Sequence, residues 1–310
     1  MTHRTNKVTP VFAILIPTAG EETKLSETLA SLTQCTTPDN YLHTIVVENG
    51  EKYEAETITR KYELQLHTQY LFFHKGNKSA ALNYALSHIS DDTLIFFTDD
   101  DVRLEPQVLM AYEQTSRERN KKCYYGGPTF AIYEKKPPLW LLNAMPASTR
   151  GWQPDGNDDY LRTPRLLGFN WAAYAGDIKA LGGFNENLGP GTKPKRTGQE
   201  WNMQERMLAK GFTAVYVEDA RVWHHVPKDK SSLIWFIIRR FQGGLGAGMW
   251  FVEKHGKGKF PMNLIKYFTK SCLLLPVRLL SLSRTKMVVG IGDFSAGLGR
   301  IKGYFTAVFS

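Results

Sequence analysis

Short apolar runs alternate with helical patterns every 25 to 30 residues over the first ~125 positions. That rhythm admits little besides a parallel sheet covered by helices. Phe12-Ala13-Ile14-Leu15-Ile16 reads as a buried strand ending at Pro17-Thr18-Ala19-Gly20, and Leu25, Leu29 and Leu32 share one face of a helix over 22–32. A second strand over 44–47 ends at Glu48-Asn49-Gly50, a polar helix over 54–66 leads to a third strand over 70–73, and a helix over 78–89 follows. The fourth strand is Leu94-Ile95-Phe96-Phe97, and Thr98-Asp99-Asp100-Asp101 comes directly after it. A helix over 106–119 is expected next, with Pro106 at its first position.

Three adjacent carboxylates repel one another, so a fold gains nothing from them unless a cation sits there. Ligands of open α/β sheets bind just outside the carboxyl ends of the strands. A divalent metal holding a phosphorylated ligand is the reading this invites. The bland alternative is an acidic turn opening the helix after Pro106, where carboxylates complement the helix dipole.

Other residues carry two readings each. Glu48, at a strand end, can accept an N–H from a nucleotide base or serve as a turn residue. Lys78, in Lys75-Gly76-Asn77-Lys78-Ser79, suits a diphosphate at a helix start, or is a solvated loop lysine. Glu200 is either a general base or the third helical residue of a capping box begun by Thr197. His224, after an apolar strand, either completes a metal site begun by Asp101 or packs in the core.

Beyond residue 125 the pattern changes. Residues 123–200 are rich in Gly, Pro and aromatics, with an uncovered stretch near 145–165 expected to form a flap. The aromatics at 140, 152, 169, 171 and 184 are expected in the core, some of them as an acceptor platform. A helix is expected over 199–210, with strands over 213–217 and 222–225. From Lys228 to the end there are 14 Lys+Arg against 3 Asp+Glu, so the net charge of +9 belongs to the C-terminal quarter. This tail is apolar as well as basic, but no run reaches the ~18 uncharged residues of a membrane span. In-plane helices on an anionic membrane surface fit it, as do ordinary core helices. Arg239 and Arg240 can supply a cation near phosphates or end a surface helix. No zinc finger, RRM signature or helix-turn-helix pattern accompanies the charge, which argues against nucleic acid. Cys35, Cys123 and Cys272 have no framework spacing, and the first residues lack an apolar leader core. A cytoplasmic protein, peripheral on the cytoplasmic membrane face, is the expectation.

Taken in order, the motifs from about 12 to 244 resemble the family 2 glycosyltransferases, the inverting group with the GT-A fold. They are Pro17-Thr18, Glu48, Gly76-Asn77-Lys78-Ser79-Ala80-Ala81-Leu82-Asn83, Thr98-Asp99-Asp100-Asp101 with Pro106 five positions on, and Gly182-Gly183-Phe184. Gln199-Glu200 before a helix carrying Arg206, and His224-His225-Val226-Pro227, complete the series. The resemblance implies a mostly parallel GT-A-like α/β sheet flanked by helices. Residues 1–125 would be the nucleotide-sugar half, 126–230 the acceptor and catalytic half, and 231–310 a helical tail. Pro17, Thr18 and Glu48 would frame the base, Asp100 would contact the ribose, and Lys78 would approach the phosphates. Asp101 with His224 would hold Mg²⁺ or Mn²⁺, and Asp99 gives an alternative D-x-D reading. The donor would be UDP-, GDP- or dTDP-linked, and the acceptor a glycan or lipid-linked molecule of polysaccharide biosynthesis. Glu200 falls where the family usually has Asp, and Gln199 replaces a Glu, so the pair keeps one ionisable base. One base suits an inverting enzyme. A nucleotidyltransferase on a related sheet is the second reading, but the chain lacks a Gly-rich basic loop after its first strand. A non-catalytic, membrane-associated sugar-nucleotide-binding protein is the third.

Overall fold

A computed structural model describes residues 11–20, 22–119, 122–154, 166–193 and 196–309. In chain order the elements are β1 (Phe12–Thr18), α1 (Glu22–Leu32), β2 (Tyr41–Asn49), α2 (Ala55–Arg60), α3 (Glu63–Leu66), β3 (Gln69–Phe73), α4 (Lys78–Leu86), β4 (Leu94–Phe97) and β5 (Val102–Leu104). Next come α5 (Val108–Glu118), β6 (Cys123–Gly126), β7 (Thr129–Tyr133), α6 (Leu139–Leu142), α7 (Ala147–Arg150), β8 (Trp171–Tyr174) and α8 (Ala175–Ala180). The chain closes with α9 (Gln199–Ala209), β9 (Thr213–Tyr216), β10 (Val222–Val226), α10 (Leu233–His255), α11 (Met262–Leu279) and α12 (Arg284–Phe309).

Seven strands form one sheet in the order β3-β2-β1-β4-β8-β6-β9, and β5-β10-β7 form a second. The pairs β1–β2, β1–β4 and β2–β3 are parallel, while β8 runs antiparallel to β4 and β6. Every residue of β1 and β4 is buried, which explains their unbroken apolar runs. The direction of strand addition reverses between β1 and β4, so their neighbouring carboxyl ends mark the switch point at which open α/β sheets bind ligands.

The expected helix over 54–66 is broken. Its first part ends in tight turns, Lys61 N–H to Ile58 O and Tyr62 N–H to Thr59 O, and the Thr68 hydroxyl also donates to Thr59 O. Helix α4 stops at Leu86, short of Ile89. Pro106 lies outside α5, whose N-cap is Gln107; the Pro106 carbonyl instead accepts from Thr36 N–H. The short strand β5 separates the acidic triplet from α5, a step the sequence reading did not include. Because α9 begins at Gln199, Gly198 and not Thr197 precedes it, so Thr197 and Glu200 are not spaced as a capping box. Within the expected flap, residues 155–165 lie outside the described residues.

The chain divides into two compact units. The first comprises Met1–Phe130, Trp152–Glu186 and Gln199–His224, and holds the seven-stranded sheet and its core. The second comprises Ala131–Gly151, Asn187–Gly198 and His225–Ser310. In it, α10 and α12 meet backbone to backbone. A Cβ on Gly244 or Gly248 would lie 2.1 Å from the carbonyl oxygens of Ala296 and Arg300, and one on Gly303 would lie 2.1 Å from Leu245 O. Gly248→Val is expected to cost about 3 kcal/mol or more, read as a lower urea midpoint, because neither backbone can yield. Arg240 and Arg278 both pair with Asp293, so Arg240's charge is met inside this unit. Arg300 stacks on the Tyr267 ring, 3.7 Å from its centre. Cys35, Cys123 and Cys272 are free thiols, and burial pushes Cys35 up to about 12. Among the described residues no helix is long and apolar enough to cross a membrane.

Candidate functional site

Strand pairing sets the first contacts. β1 and β2 pair with Thr18 opposite Glu48. The Thr18 carbonyl accepts from Asn49 Nδ2 (2.7 Å), and its hydroxyl donates to Asp100 Oδ2 (2.5 Å). Thr18 therefore joins the end of β2 to the acidic triplet. Glu48 is fully buried; Oε1 accepts from Tyr53 N–H (2.8 Å) and Oε2 from the Tyr70 hydroxyl (2.5 Å). Each carboxylate oxygen thus has one donor, with acceptor capacity beyond it. The Tyr53 ring is half exposed and lies so close over Gly20 that a Cβ there would approach it to 2.9 Å.

The triplet is held from beneath by a residue not singled out from the sequence. Thr28 of α1 donates its hydroxyl to the carbonyls of Asp100 and Val102 (2.9 Å each) and accepts from Val102 N–H at 3.0 Å. Its signal was visible, for it is a polar residue on the face shared by Leu25, Leu29 and Leu32. Thr28→Val keeps the shape but removes the acceptor from a buried N–H. A loss of about 1–3 kcal/mol is expected in chemical denaturation.

The three carboxylates take three different partners. Asp99 pairs with Lys78, the first residue of α4, whose N-cap Asn77 accepts from Ala80 N–H at 3.0 Å. Burial alone would lower the Lys78 pKa, but the charge and hydrogen bond of Asp99, with Glu200 and Asp100 adding, outweigh it and hold the ammonium above its ordinary range. Burial pushes Asp100 up to about 7, against the Thr18 hydrogen bond and with help from the charges of Asp101 and Asp99. Asp101 Oδ2 lies 3.2 Å from His224 Nε2. The antiparallel register of β5 and β10, which sets His224 opposite Val102, produces that contact. The His224 ring stacks on Phe169, with centroids 4.7 Å apart, and its buried Nδ1 has no hydrogen-bond partner among the described residues.

Glu200, in the first turn of α9, lines a narrow pocket with Pro17, Lys78, Asp99, Trp171 and Phe184. Gly168 lies close beside it: a Cβ there would meet Glu200 Cγ and Cδ at 3.2 Å. The aromatic wall is built by Trp171 stacked on Phe97 (4.7 Å), with Phe184 edge-on to both. Two polar clamps hold Phe184. Asn83 donates to its carbonyl and accepts from its N–H, while Arg206 donates to the carbonyls of Leu181 and Gly183. The buried Asn170 ties its loop to Pro128 O, Ala220 O and the Tyr112 hydroxyl. Trp152 and Phe169 are buried, and Trp140 packs in the second unit beside Leu141 and Phe236.

Pro17, Lys78, Asp99 and Glu200 thus share one pocket, Thr18 with Asp100 and Asp101 with His224 form contacts of their own, and Glu48 stands one strand over, opposite Thr18. Among the described residues no three His, Cys, Asp or Glu side chains close round a metal ion. The donors nonetheless fit one. The carboxylate of Asp101 suits Mn²⁺ or Mg²⁺, the His224 imidazole suits the softer of the two, and a cation would relieve the repulsion that, after burial, adds to the raising of Asp100.

The family described as glycosyltransferase like family 2 matches residues 10–242. No curated protein matches the chain. Among solved structures, the chain is similar to the mannosyltransferase PcManGT from Pyrobaculum calidifontis, in complex with GDP-Man and Mn²⁺. Identity is 16% and the TM-score 0.60, over 95% of this chain and 88% of that one. It is similar to S. aureus TarS 1-349 at 13% identity and a TM-score of 0.53, over 93% of this chain and 90% of that one. GalNAc-T7, solved with UDP, GalNAc and Mn²⁺, gives 12% identity and a TM-score of 0.51, over 71% of this chain and 45% of that one. These likenesses place the fold with the GT-A glycosyltransferases.

Proposed function

Because the chain belongs to the glycosyltransferase-like family 2, we propose that it is an inverting, metal-dependent enzyme. It would move a sugar from a nucleoside-diphosphate sugar to a hydroxyl of a glycan or lipid-linked acceptor in polysaccharide biosynthesis. The observation that carries this is the single pocket lined by Glu200, Lys78 and Asp99, next to the remaining two carboxylates of the triplet. UDP, GDP and dTDP are the candidate nucleotides; the mannosyltransferase and GalNAc-T7 structures hold GDP-Man and UDP.

Each residue has a part. Pro17, Thr18 and Glu48 frame the base. Asp100 meets the ribose, and Lys78, kept charged by Asp99, meets the phosphates. Asp101 and His224 would hold Mg²⁺ or Mn²⁺, which when bound neutralises charge on the departing diphosphate. Glu200 takes the acceptor's proton as its oxygen attacks the anomeric carbon from the face opposite the leaving group, so an α-linked donor yields a β-linked product. Gln199 cannot ionise, and Asp99, the other carboxylate lining the pocket, is held by Lys78, so Glu200 is left as the base. Residues 1–125 would thus serve the donor and 126–230 the acceptor. The tail, 231–310, would hold the enzyme at the cytoplasmic membrane face.

Thermal shifts with UDP, GDP, dTDP and CDP, with and without Mn²⁺, test this. Stabilisation by one nucleotide is expected, about 2.7 kcal/mol at a hundredfold excess over Kd, and only with metal and with Asp101 intact. No shift with any nucleotide would favour a protein that does not bind the donor alone.

A further inference from the structure

The outer face of α11 is divided lengthwise. Lys266, Lys270, Leu273, Val277 and Leu280 follow one another at helical spacings of four, three, four and three, so they share one stripe of α11 and its C-cap. All five are exposed; Leu273 is 70% accessible, Val277 66% and Leu280 86%. Leu282, in the turn to α12, is fully exposed, and Arg284 and Lys286 follow it, both exposed. Side chains this apolar are left in water at a net cost, and a contiguous exposed group of them marks an interaction surface.

The charge along this stretch of chain has one sign. From 254 to 292 the chain carries eight Lys or Arg and no Asp or Glu. Lys257, Lys259, Lys266, Lys270, Arg284 and Lys286 are all exposed. The nearest carboxylates in sequence are Glu253 and Asp293, and Asp293 is occupied by Arg240 and Arg278. A stripe that is basic at one end and leucine-rich at the other, on a helix too short and too charged to span, matches an in-plane membrane helix. The leucines enter the acyl boundary and the lysines reach the headgroups.

The geometry points to the C-terminal half of α11 and the α11–α12 turn as a docking surface for an anionic phospholipid bilayer. It gives the membrane reading of the tail a defined surface and does not depend on the sugar-transfer chemistry, so vesicle binding without nucleotide binding would leave it standing.

Full-length protein is mixed with phosphatidylcholine vesicles, or with vesicles carrying 30% phosphatidylglycerol, and sedimented. Binding is expected only to the second, and to be lost at high salt. Leu273→Ser/Val277→Ser/Leu280→Ser is expected to lower the partition coefficient at least tenfold with an unchanged melting temperature. Lys266→Gln/Lys270→Gln is expected to lower it by about fivefold per lysine removed. Binding that ignores lipid charge, or that survives the triple substitution, overturns the proposal. So does light scattering that shows a dimer in the wild type and a monomer in the triple variant with no vesicle binding by either, because the face would then be an interface between copies of this chain.

Discussion

Replacing Glu200 by Gln is expected to lower sugar transfer by about 10²- to 10⁴-fold while leaving metal-dependent nucleotide binding intact. The amide fills the same space against Gly168, where an added Cβ would lie 3.2 Å from Glu200. Lys78 loses one favourable charge but keeps its ion pair with Asp99. What disappears is the ability to take a proton, and neighbouring Gln199 cannot replace it. The measurement is kcat beside a thermal shift with nucleotide and Mn²⁺. Near-wild-type turnover would remove Glu200 as the base, and loss of the nucleotide shift would mean that it supports donor binding instead.

Asp101→Ala is expected to abolish the dependence on metal, with transfer falling about a thousandfold, equivalent to about 4 kcal/mol of transition-state stabilisation. Chelation of the wild type should produce the same loss. Asp101 is one of the charges that raise Asp100, so its removal takes repulsion out of the metal-free protein. The variant's melting temperature without metal should therefore hold, while the rise that Mn²⁺ and nucleotide give the wild type should vanish. A variant still stimulated by Mn²⁺ would move the ligand role to Asp99 or Asp100.

Strands β1 and β4 were legible because they are buried on both faces, and a buried parallel strand leaves an unbroken apolar run. The side chains of the pocket were legible through the order of their motifs. Less visible were features made by distant parts of the chain. β5 has three residues, too few to show a period, yet its pairing with β10 brings His224 to Asp101. The helix over 54–66 breaks where Thr68, from the next segment, binds Thr59 O. Asn170 and Asn83 clamp loops through backbone groups, which leaves no pattern in sequence. In the tail, glycines at 244, 248 and 303 let α10 and α12 touch, so part of a segment that reads as interfacial is a helix-packing seam.

The pairing of β5 with β10 has three rungs, Val222–Leu104, Trp223–Arg103 and His224–Val102. A one-residue slip would turn His224 to the opposite face. The opening free energy of this short ladder therefore limits how long the Asp101–His224 pair persists between ligand encounters. Hydrogen exchange should report it: amides of 102–104 and 222–224 should exchange ahead of those in β1 and β4 in the metal-free protein, and slow selectively once Mn²⁺ and nucleotide are added.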